Sequence, residues 1–281
     1  MIKPRILVTG ATGKTGSVVV TELLQAGYPV RALVHRRDGR SEQLRAQGAE
    51  IAVAEMCDVE RVADALKDVQ RAYFCPPLKP HMLQGAVAFA VAAREARLEH
   101  IVGLTQWLAS PSHPSLMTRQ HWLVDRLFSM MPGVAHTIVN PGFFADVYFA
   151  TMGAAVHFGV FPWLFGDSRN APPSNEDIAR VAVAALEDPA RHAGKRYRPT
   201  GPALLGAKDM ADAIGRAVGR SVRVVPTPTM PRNRRTLANQ LRELAQFVVA
   251  PFSPGFNLER YDPNCVALSR RTIERSAPPS L

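Results

Sequence analysis

The sequence predicts an α/β protein, a doubly wound parallel sheet with a smaller C-terminal lobe, and three observations carry that expectation. Short β-branched runs alternate with helical patterns of about ten to fifteen residues over the first half of the chain, the rhythm of right-handed βαβ crossovers. A glycine-rich turn follows the first such run and opens the first helix. The 281 residues are 47% apolar and 21% charged, enough for a large core and too apolar for a disordered chain.

The elements follow in order. RILVT (Arg5 to Thr9) reads as the first strand, and Lys14 to Gln25 then sets Val18, Val19, Leu23 and Leu24 at helical spacing. VRALV (Val30 to Val34) is the second strand, Gly39 to Gln47 a polar helix, and EIAVA from Glu50 the third strand. A helix from Val59 to Leu66, the strand RAYFC from Arg71 and an alanine-rich helix from Met82 to Ala96 come next. HIVGLT from His100, a helix around Met117 to Met130 and HTIVN from His136 complete the alternation. From Gly142 to Pro173 phenylalanine, glycine, proline and tryptophan crowd together, which predicts irregular structure around a pocket. The window from Met152 to Phe165 is the most apolar, yet it is shorter than the roughly 20 residues of a membrane-spanning helix and carries His157 and Pro162. It is expected to line a pocket or form a buried helix.

Asn175 then caps a helix to about Leu186, with Glu176 and Asp177 at its positive start. Arg196 to Pro199 is read as a strand, Lys208 to Val218 as a helix, Ser221 to Val225 as a strand and Arg232 to Phe247 as a basic helix. The expected division is a larger α/β domain over 1–155, with 175–200 returning to it, and a smaller lobe from 156–174 and 201–281.

Thirty-four basic residues against 24 acidic ones give a net charge of +10, which favours an anionic partner without choosing among nucleic acid, anionic lipid and a phosphorylated cofactor. Val222 to Leu281 hold nine arginines against Glu243, Glu259, Asp262 and Glu274. No nucleic-acid motif accompanies them, so direct nucleic-acid binding is not expected. Cys57, Cys75 and Cys265 are odd in number and lack metal-ligand spacing, so neither a disulfide framework nor a metal site is predicted. The amino terminus passes within a few residues into the first strand, leaving no room for a signal peptide, and a reducing cytoplasm is the expected location.

Gly10-Ala11-Thr12-Gly13-Lys14-Thr15-Gly16 stands between strand and helix, the context that gives a glycine fingerprint meaning. Gly10 permits the tight turn, Gly13 lets a pyrophosphate approach the unsatisfied helix N–H groups, and Gly16 allows helix and strand to pack closely. At the end of the second strand an acidic residue would bind the ribose hydroxyls of NAD. Here His35, Arg36 and Arg37 stand instead, with Asp38 only after them. Guanidinium groups hold a 2′-phosphate that a carboxylate would repel, so NADP(H) is the expected cofactor.

Taken with these features, His121-x3-Asp125, Asn140-Pro141-Gly142-Phe143-Phe144-Ala145-Asp146, Asn175-Glu176-Asp177-Ile178-Ala179 and Arg198-Pro199-Thr200-Gly201-Pro202 resemble the atypical short-chain dehydrogenase/reductases. Within that group the chain is most similar to the NmrA-like family, which includes quinone oxidoreductases, triphenylmethane-dye reductases and non-catalytic NADP sensors. The resemblance covers roughly residues 5 to 230. It implies a Rossmann-type domain, a smaller C-terminal α/β substrate lobe and a cleft between them. It further implies that Gly10, Thr12, Gly13, Lys14, Thr15 and Gly16 hold the pyrophosphate and that His35 and Arg36 read the 2′-phosphate. Asp58 would lie beside the adenine, with Cys57 in place of the usual glycine. Cys75 and Pro76 would pass the cofactor ribose, and Pro141, Gly142, Phe143 and Phe144 would line the nicotinamide side.

A short-chain dehydrogenase acting on a carbonyl uses a tyrosine four residues before a lysine. Four residues after Tyr28, Tyr73, Tyr148, Tyr197 and Tyr261 come Ala32, Pro77, Met152, Gly201 and Cys265, so this chain has no such pair. Two readings stay open. Hydride passes to an acceptor already strongly electrophilic, such as a quinone or cationic dye, or the protein binds NADP(H) as a redox sensor acting through a protein partner. The resemblance places His121 near the nicotinamide, one turn before Asp125, where the pair is either a positioned proton donor or a surface ion pair. Thr105, at the end of the fifth strand where the wider superfamily has serine, is the second catalytic candidate, either touching substrate or capping a turn. Phe143, Phe144, Tyr148, Phe158, Phe161, Trp163 and Phe165 make either core or a flat pocket for a planar hydrophobic substrate. Cys75 has no basic neighbour in sequence and reads as a buried structural thiol. A homodimer is compatible with all of this.

Overall fold

The computed structural model describes residues 3–78, 81–113, 115–149, 152–163 and 166–226. The basic helix expected over Arg232 to Phe247, and with it Cys265, lies outside the described residues. The chain divides into two compact units, one of Met1–Gly142 with Asn175–Pro199 and one of Phe143–Ser174 with the residues from Thr200 onward.

The first unit is a parallel sheet covered by helices on both faces. Its strands are β1 (Ile6–Thr9), β2 (Val30–Val34), β3 (Glu50–Val53), β4 (Arg71–Phe74), β5 (His100–Leu104), β6 (Ala135–Val139) and β8 (Arg196–Tyr197). Its helices are α1 (Lys14–Gln25), α2 (Gly39–Ala46), α3 (Val59–Ala65), α4 (Met82–Glu95), α5 (Leu116–Ser129), α8 (Asn175–Glu187) and α9 (Pro189–His192). The strand order is β3-β2-β1-β4-β5-β6-β8, and every neighbouring pair is parallel. This is the doubly wound order in which the chain reverses direction of travel at β1, leaving a crevice at the carboxyl ends of β1 and β4.

The central strands are continuous apolar runs because both faces are covered. Ile6, Leu7 and Val8 have no exposed surface. Helices α1 and α8 pack together, as do α3, α4 and α5. Phe74 of β4 meets Phe89 of α4 at 4.7 Å and the edge of Phe128 of α5 at 5.1 Å between ring centres. Hydrogen-bonded caps fix the helix starts after β2 and β3: Asp38 accepts from the N–H groups of Arg40 and Ser41, and Asp58 from that of Arg61. Helix α9, capped by Asp188, has no counterpart in the sequence expectations.

The second unit contains α6 (Ala145–Phe149), α7 (Met152–Phe158), β7 (Val160–Trp163), α10 (Ala207–Val218) and β9 (Arg223–Pro226). Strands β7 and β9 pair in parallel as a two-stranded sheet. Its core gathers Tyr148, Ala155, Phe161, Trp163, Met210, Ile214 and Val222.

Two expectations are corrected here. Residues 143–155, expected with the dinucleotide domain, cluster with the second unit, because Tyr148 and Ala155 are buried among Phe161 and Trp163. The segment expected to be irregular forms two short helices and a strand, and α7 buries Ala155 alone. Single-residue burial gives α7 too narrow an apolar stripe to read as a core helix from its sequence.

Candidate cofactor and active site

The turn after β1 is built for close approach to the backbone. Gly10 sits at φ +61°, a conformation L side chains rarely adopt, and a Cβ there would lie 3.3 Å from the Cβ of Cys75. The Gly13 N–H donates to the Gly10 carbonyl at 2.9 Å and closes the turn. A Cβ on Gly16 would lie 2.2 Å from the same carbonyl oxygen, so α1 reaches the turn only through glycine. Thr12 is half-buried, Gly10, Gly13 and Lys14 are exposed, and Thr15 is buried with its hydroxyl donating to Asn175 Oδ1 of α8 at 2.7 Å.

Whether this turn fits an anion is decided by its capping. Helix α1 has Gly13 at its N-cap with no side-chain hydrogen bond, and no acidic residue in its first turn. The starts of α2 and α3, by contrast, carry aspartate caps and the acids Glu42 and Glu60. The positive end of α1 is therefore open where the other two are neutralised by the protein itself, and the residues fit a pyrophosphate. Thr9 locks the neighbouring strand end: its hydroxyl accepts from the Cys75 N–H at 2.8 Å and donates to the Cys75 carbonyl at 3.3 Å. Cys75, expected to be buried, is half-buried, and desolvation pushes its thiol up to about 11, which disfavours the reactive thiolate. Pro76 beside it is buried.

At the end of β2, His35, Arg36 and Arg37 are all exposed. His35 Nδ1 lies 2.7 Å from Glu55 Oε2. Arg36 and Arg37 form no ion pair among the described residues. Asp38, the acidic residue nearest the cluster, is occupied in capping α2 and bonding Arg40 Nη2 at 2.7 Å, and those bonds hold its carboxyl below the usual range. Asp58 faces α3 as its cap and pairs with Arg61 at 3.4 Å, so its carboxylate is already engaged within its own helix.

The carboxyl ends of β5 and β6 carry a buried polar network that only partly matches the sequence expectations. Thr105 is buried, its N–H donating to the Val139 carbonyl at 2.9 Å. The Asn140 side-chain amide, also buried, donates to Thr105 Oγ1 and, at 3.3 Å, to the Gln106 carbonyl. Arg196 of β8 donates to Asn140 Oδ1 at 2.7 Å and to Asp125 Oδ2 of α5. Asp125 is 1% exposed, and its Oδ1 has no hydrogen-bond partner among the described residues.

His121 is one turn from Asp125 but is not joined to it by a hydrogen bond. It is buried, its Nδ1 has no partner among the described residues, and desolvation lowers its pKa to about 4 against an opposing pull from Asp125. Burial argues against a surface ion pair, and desolvation favours the neutral imidazole. Arg196 is the residue that sequence reasoning missed. Only the structure shows the mid-helix Asp125 buried, and such a carboxylate requires a cationic partner.

Pro141 is buried and Gly142 half-buried at the end of the first unit. Phe143 and Phe144 open the second; Phe143 is exposed, and its carbonyl accepts from Asn170 Nδ2 at 3.3 Å. Of the aromatic set expected around a pocket, Tyr148, Phe161 and Trp163 are instead core, with Tyr148 stacked on Trp163 at 6.0 Å. Phe165 lies outside the described residues. Among the described residues no group of three or more His, Cys, Asp or Glu gathers to hold a metal ion, and no helix is long and apolar enough to cross a membrane.

Comparison with known proteins accords with this geometry. Residues 2–107 match the model of the NmrA-like family. The chain is 34% identical over 221 residues to an NAD(P)H azoreductase from Xenophilus azovorans, covering 78% of this chain and 76% of that one. A solved NADPH-dependent quinone oxidoreductase from Escherichia coli, complexed with NADPH, superposes with a TM-score of 0.75 at 22% identity over 94% of this chain and 89% of its own. The Citrobacter sp. triphenylmethane reductase, complexed with NADP(H), gives 0.76 at 18% identity over 98% and 92%. The two solved structures share the fold; with the azoreductase's identity across three quarters of both sequences, the chain belongs to the NmrA-like family.

Proposed function

We propose that the protein is an NADPH-dependent oxidoreductase that delivers hydride to a quinone or a similar planar electrophile. The observation that carries this reading is the pairing, at one edge of one parallel sheet, of an open helix start after β1 with the buried Thr105–Asn140 network after β5 and β6. Parallel strands bring those carboxyl ends to the same side, where ligands of such sheets bind. The 34% identity to an NAD(P)H azoreductase supports the reaction class.

In this reading the N–H groups of the Gly10–Gly16 turn hold the pyrophosphate, and Arg36 with His35 takes the 2′-phosphate. Cys75 and Pro76 wall the ribose, Asp58 borders the adenine through the α3 start that it caps, and Pro141, Gly142, Phe143 and Phe144 border the nicotinamide. NADPH, when bound, supplies the hydride. Thr105 donates a hydrogen bond to the acceptor atom that gains negative charge, and one proton from solvent neutralises it. His121, kept neutral by burial, contributes a neutral imidazole rather than an acid. The protein's task is orientation and the exclusion of competing reactions.

The test follows nicotinamide absorbance with purified protein, excess NADPH and 1,4-naphthoquinone, with an azo dye, NADH and Arg36→Glu run in parallel. Catalytic loss of NADPH that weakens in Arg36→Glu is expected. Tight NADPH binding with no turnover of either acceptor overturns the reductase reading and favours the sensor.

A further inference from the structure

We propose that Arg196 and Asn140 are positioning residues that make Thr105 an obligate hydrogen-bond donor toward the electron acceptor; this rests on the reductase reading above. A threonine hydroxyl carries one proton and can accept as well as donate, so on its own it has no fixed polarity. Here the neighbours assign one. Arginine is donor-only, and Arg196 Nη1 lies 2.7 Å from Asn140, so the atom it meets is the amide oxygen Oδ1. The other face of the amide agrees independently: Asn140 Nδ2 lies 3.3 Å from the Gln106 carbonyl and 3.4 Å from Asp125 Oδ2, both acceptor-only groups.

With the amide fixed, its nitrogen donates to Thr105 Oγ1. The Thr105 hydroxyl is then an acceptor on its inner side, and its own proton has no acceptor among the described residues. Its backbone N–H is already committed to Val139. The proton is left for an atom arriving at the carboxyl end of β5. Asp125, 1% exposed, anchors the guanidinium and keeps the chain of donors pointing one way: Arg196 to Asn140, Asn140 to Thr105, Thr105 to the acceptor. Such a preset donor stabilises charge that develops on an oxygen or nitrogen during two-electron reduction without reorganising at that moment.

The double variant Asp125→Asn with Asn140→Asp tests the direction while preserving net charge and side-chain size. It still gives Arg196 one carboxylate, but it places an acceptor against Thr105, which turns the hydroxyl proton inward. We expect kcat with NADPH and 1,4-naphthoquinone to fall by about tenfold or more, with NADPH affinity and Tm held. Wild-type protein with NADP⁺ is expected to bind naphthoquinone more tightly than naphthalene, a preference lost in the swap. Thr105→Ser is expected to retain most of kcat and Thr105→Val to lose it.

One arm needs no turnover. In the cofactor-free protein, Thr105→Val should shift one of the two Asn140 side-chain amide protons in ¹⁵N-edited spectra, since that proton loses its acceptor. Unmoved Asn140 protons in Thr105→Val, or a stable swap variant with wild-type kcat and quinone preference, overturns the proposal. If the amide shift is seen but no acceptor is reduced or bound, the reductase reading fails and the donor has no substrate to serve, while the direction of the bond stands.

Discussion

Acidification is expected to destabilise the first unit in a window set chiefly by two buried histidines. His100 of β5 and His121 of α5 are both held at a pKa of about 4, chiefly by desolvation. The structure also shows why protonation is opposed at His100. Thr137 donates its hydroxyl proton to the His192 carbonyl at 2.7 Å, so at 2.9 Å it accepts from His100 Nε2–H, leaving Nδ1 as the bare nitrogen. Nδ1 is buried without a partner among the described residues, and Arg71, His136 and His192 all oppose a positive charge there. At His121 the neighbouring charge is Asp125, which favours protonation but is outweighed by burial.

Because both folded pKa values lie below the ordinary 6.5, the unfolded chain takes up protons that the native chain refuses. The penalty is absent above pH 6.5, grows as pH falls and is complete below about pH 4. Two such protons give a slope of about 2.7 kcal/mol per pH unit, or up to about 4 kcal/mol between pH 6.5 and 5, before carboxylates begin to titrate. Set against a typical stability of about 5–15 kcal/mol, that is a large share and corresponds to a Tm loss of about 8–16 °C. Calorimetry at constant ionic strength from pH 8 to 5 measures it, and His121→Leu should reduce the slope by about half. A Tm flat across this range, with the His100 and His121 C2–H resonances titrating near 6.5, would refute the reasoning.

Arg36→Glu replaces an unpaired guanidinium with a carboxylate and is expected to raise the NADPH dissociation constant by about 10- to 100-fold while leaving NADH within a few fold, as read by fluorescence titration. In Gly16→Ala the new methyl lies 2.2 Å from a backbone oxygen that cannot swing away; the variant should lose about 1–3 kcal/mol in denaturant melts and bind NADPH weakly. Asp38→Ala removes the α2 cap, expected to cost about 1 kcal/mol in the same melts, with NADPH affinity unchanged or improved because the site becomes more positive.

The fold was legible because the signals that build a doubly wound sheet are local. Each strand from β1 to β6 is a contiguous β-branched or apolar run, and each helix of the first unit longer than one turn carries its periodicity within a dozen residues, so no long-range knowledge is needed to find them. The glycine turn is legible for the same reason: Gly10, Gly13 and Gly16 act on one another across six residues. The second unit resisted. β7 and β9 pair across some sixty residues of sequence, and the aromatics leading into and forming β7 read as either pocket or core until Tyr148 is seen stacked on Trp163.

The same distinction decides the chemistry. Helical spacing offered His121 and Asp125 as partners, because residues four apart share a face. Asp125, however, has its cation from Arg196, 71 residues away on a two-residue strand that no periodicity could mark as important. Once a buried carboxylate has a guanidinium and an amide, it has little left to raise the pKa of a nearby imidazole that is itself desolvated, and His121 stays neutral. The cation paired with Asp125 is therefore Arg196 and not His121, and the group that links it to the end of β5 is the Asn140 amide. In the proposed reaction, this edge offers a preset neutral donor, Thr105, and the proton comes from water. That suits acceptors which need charge stabilised more than a carbonyl protonated, and it is consistent with a chain that has no tyrosine–lysine pair.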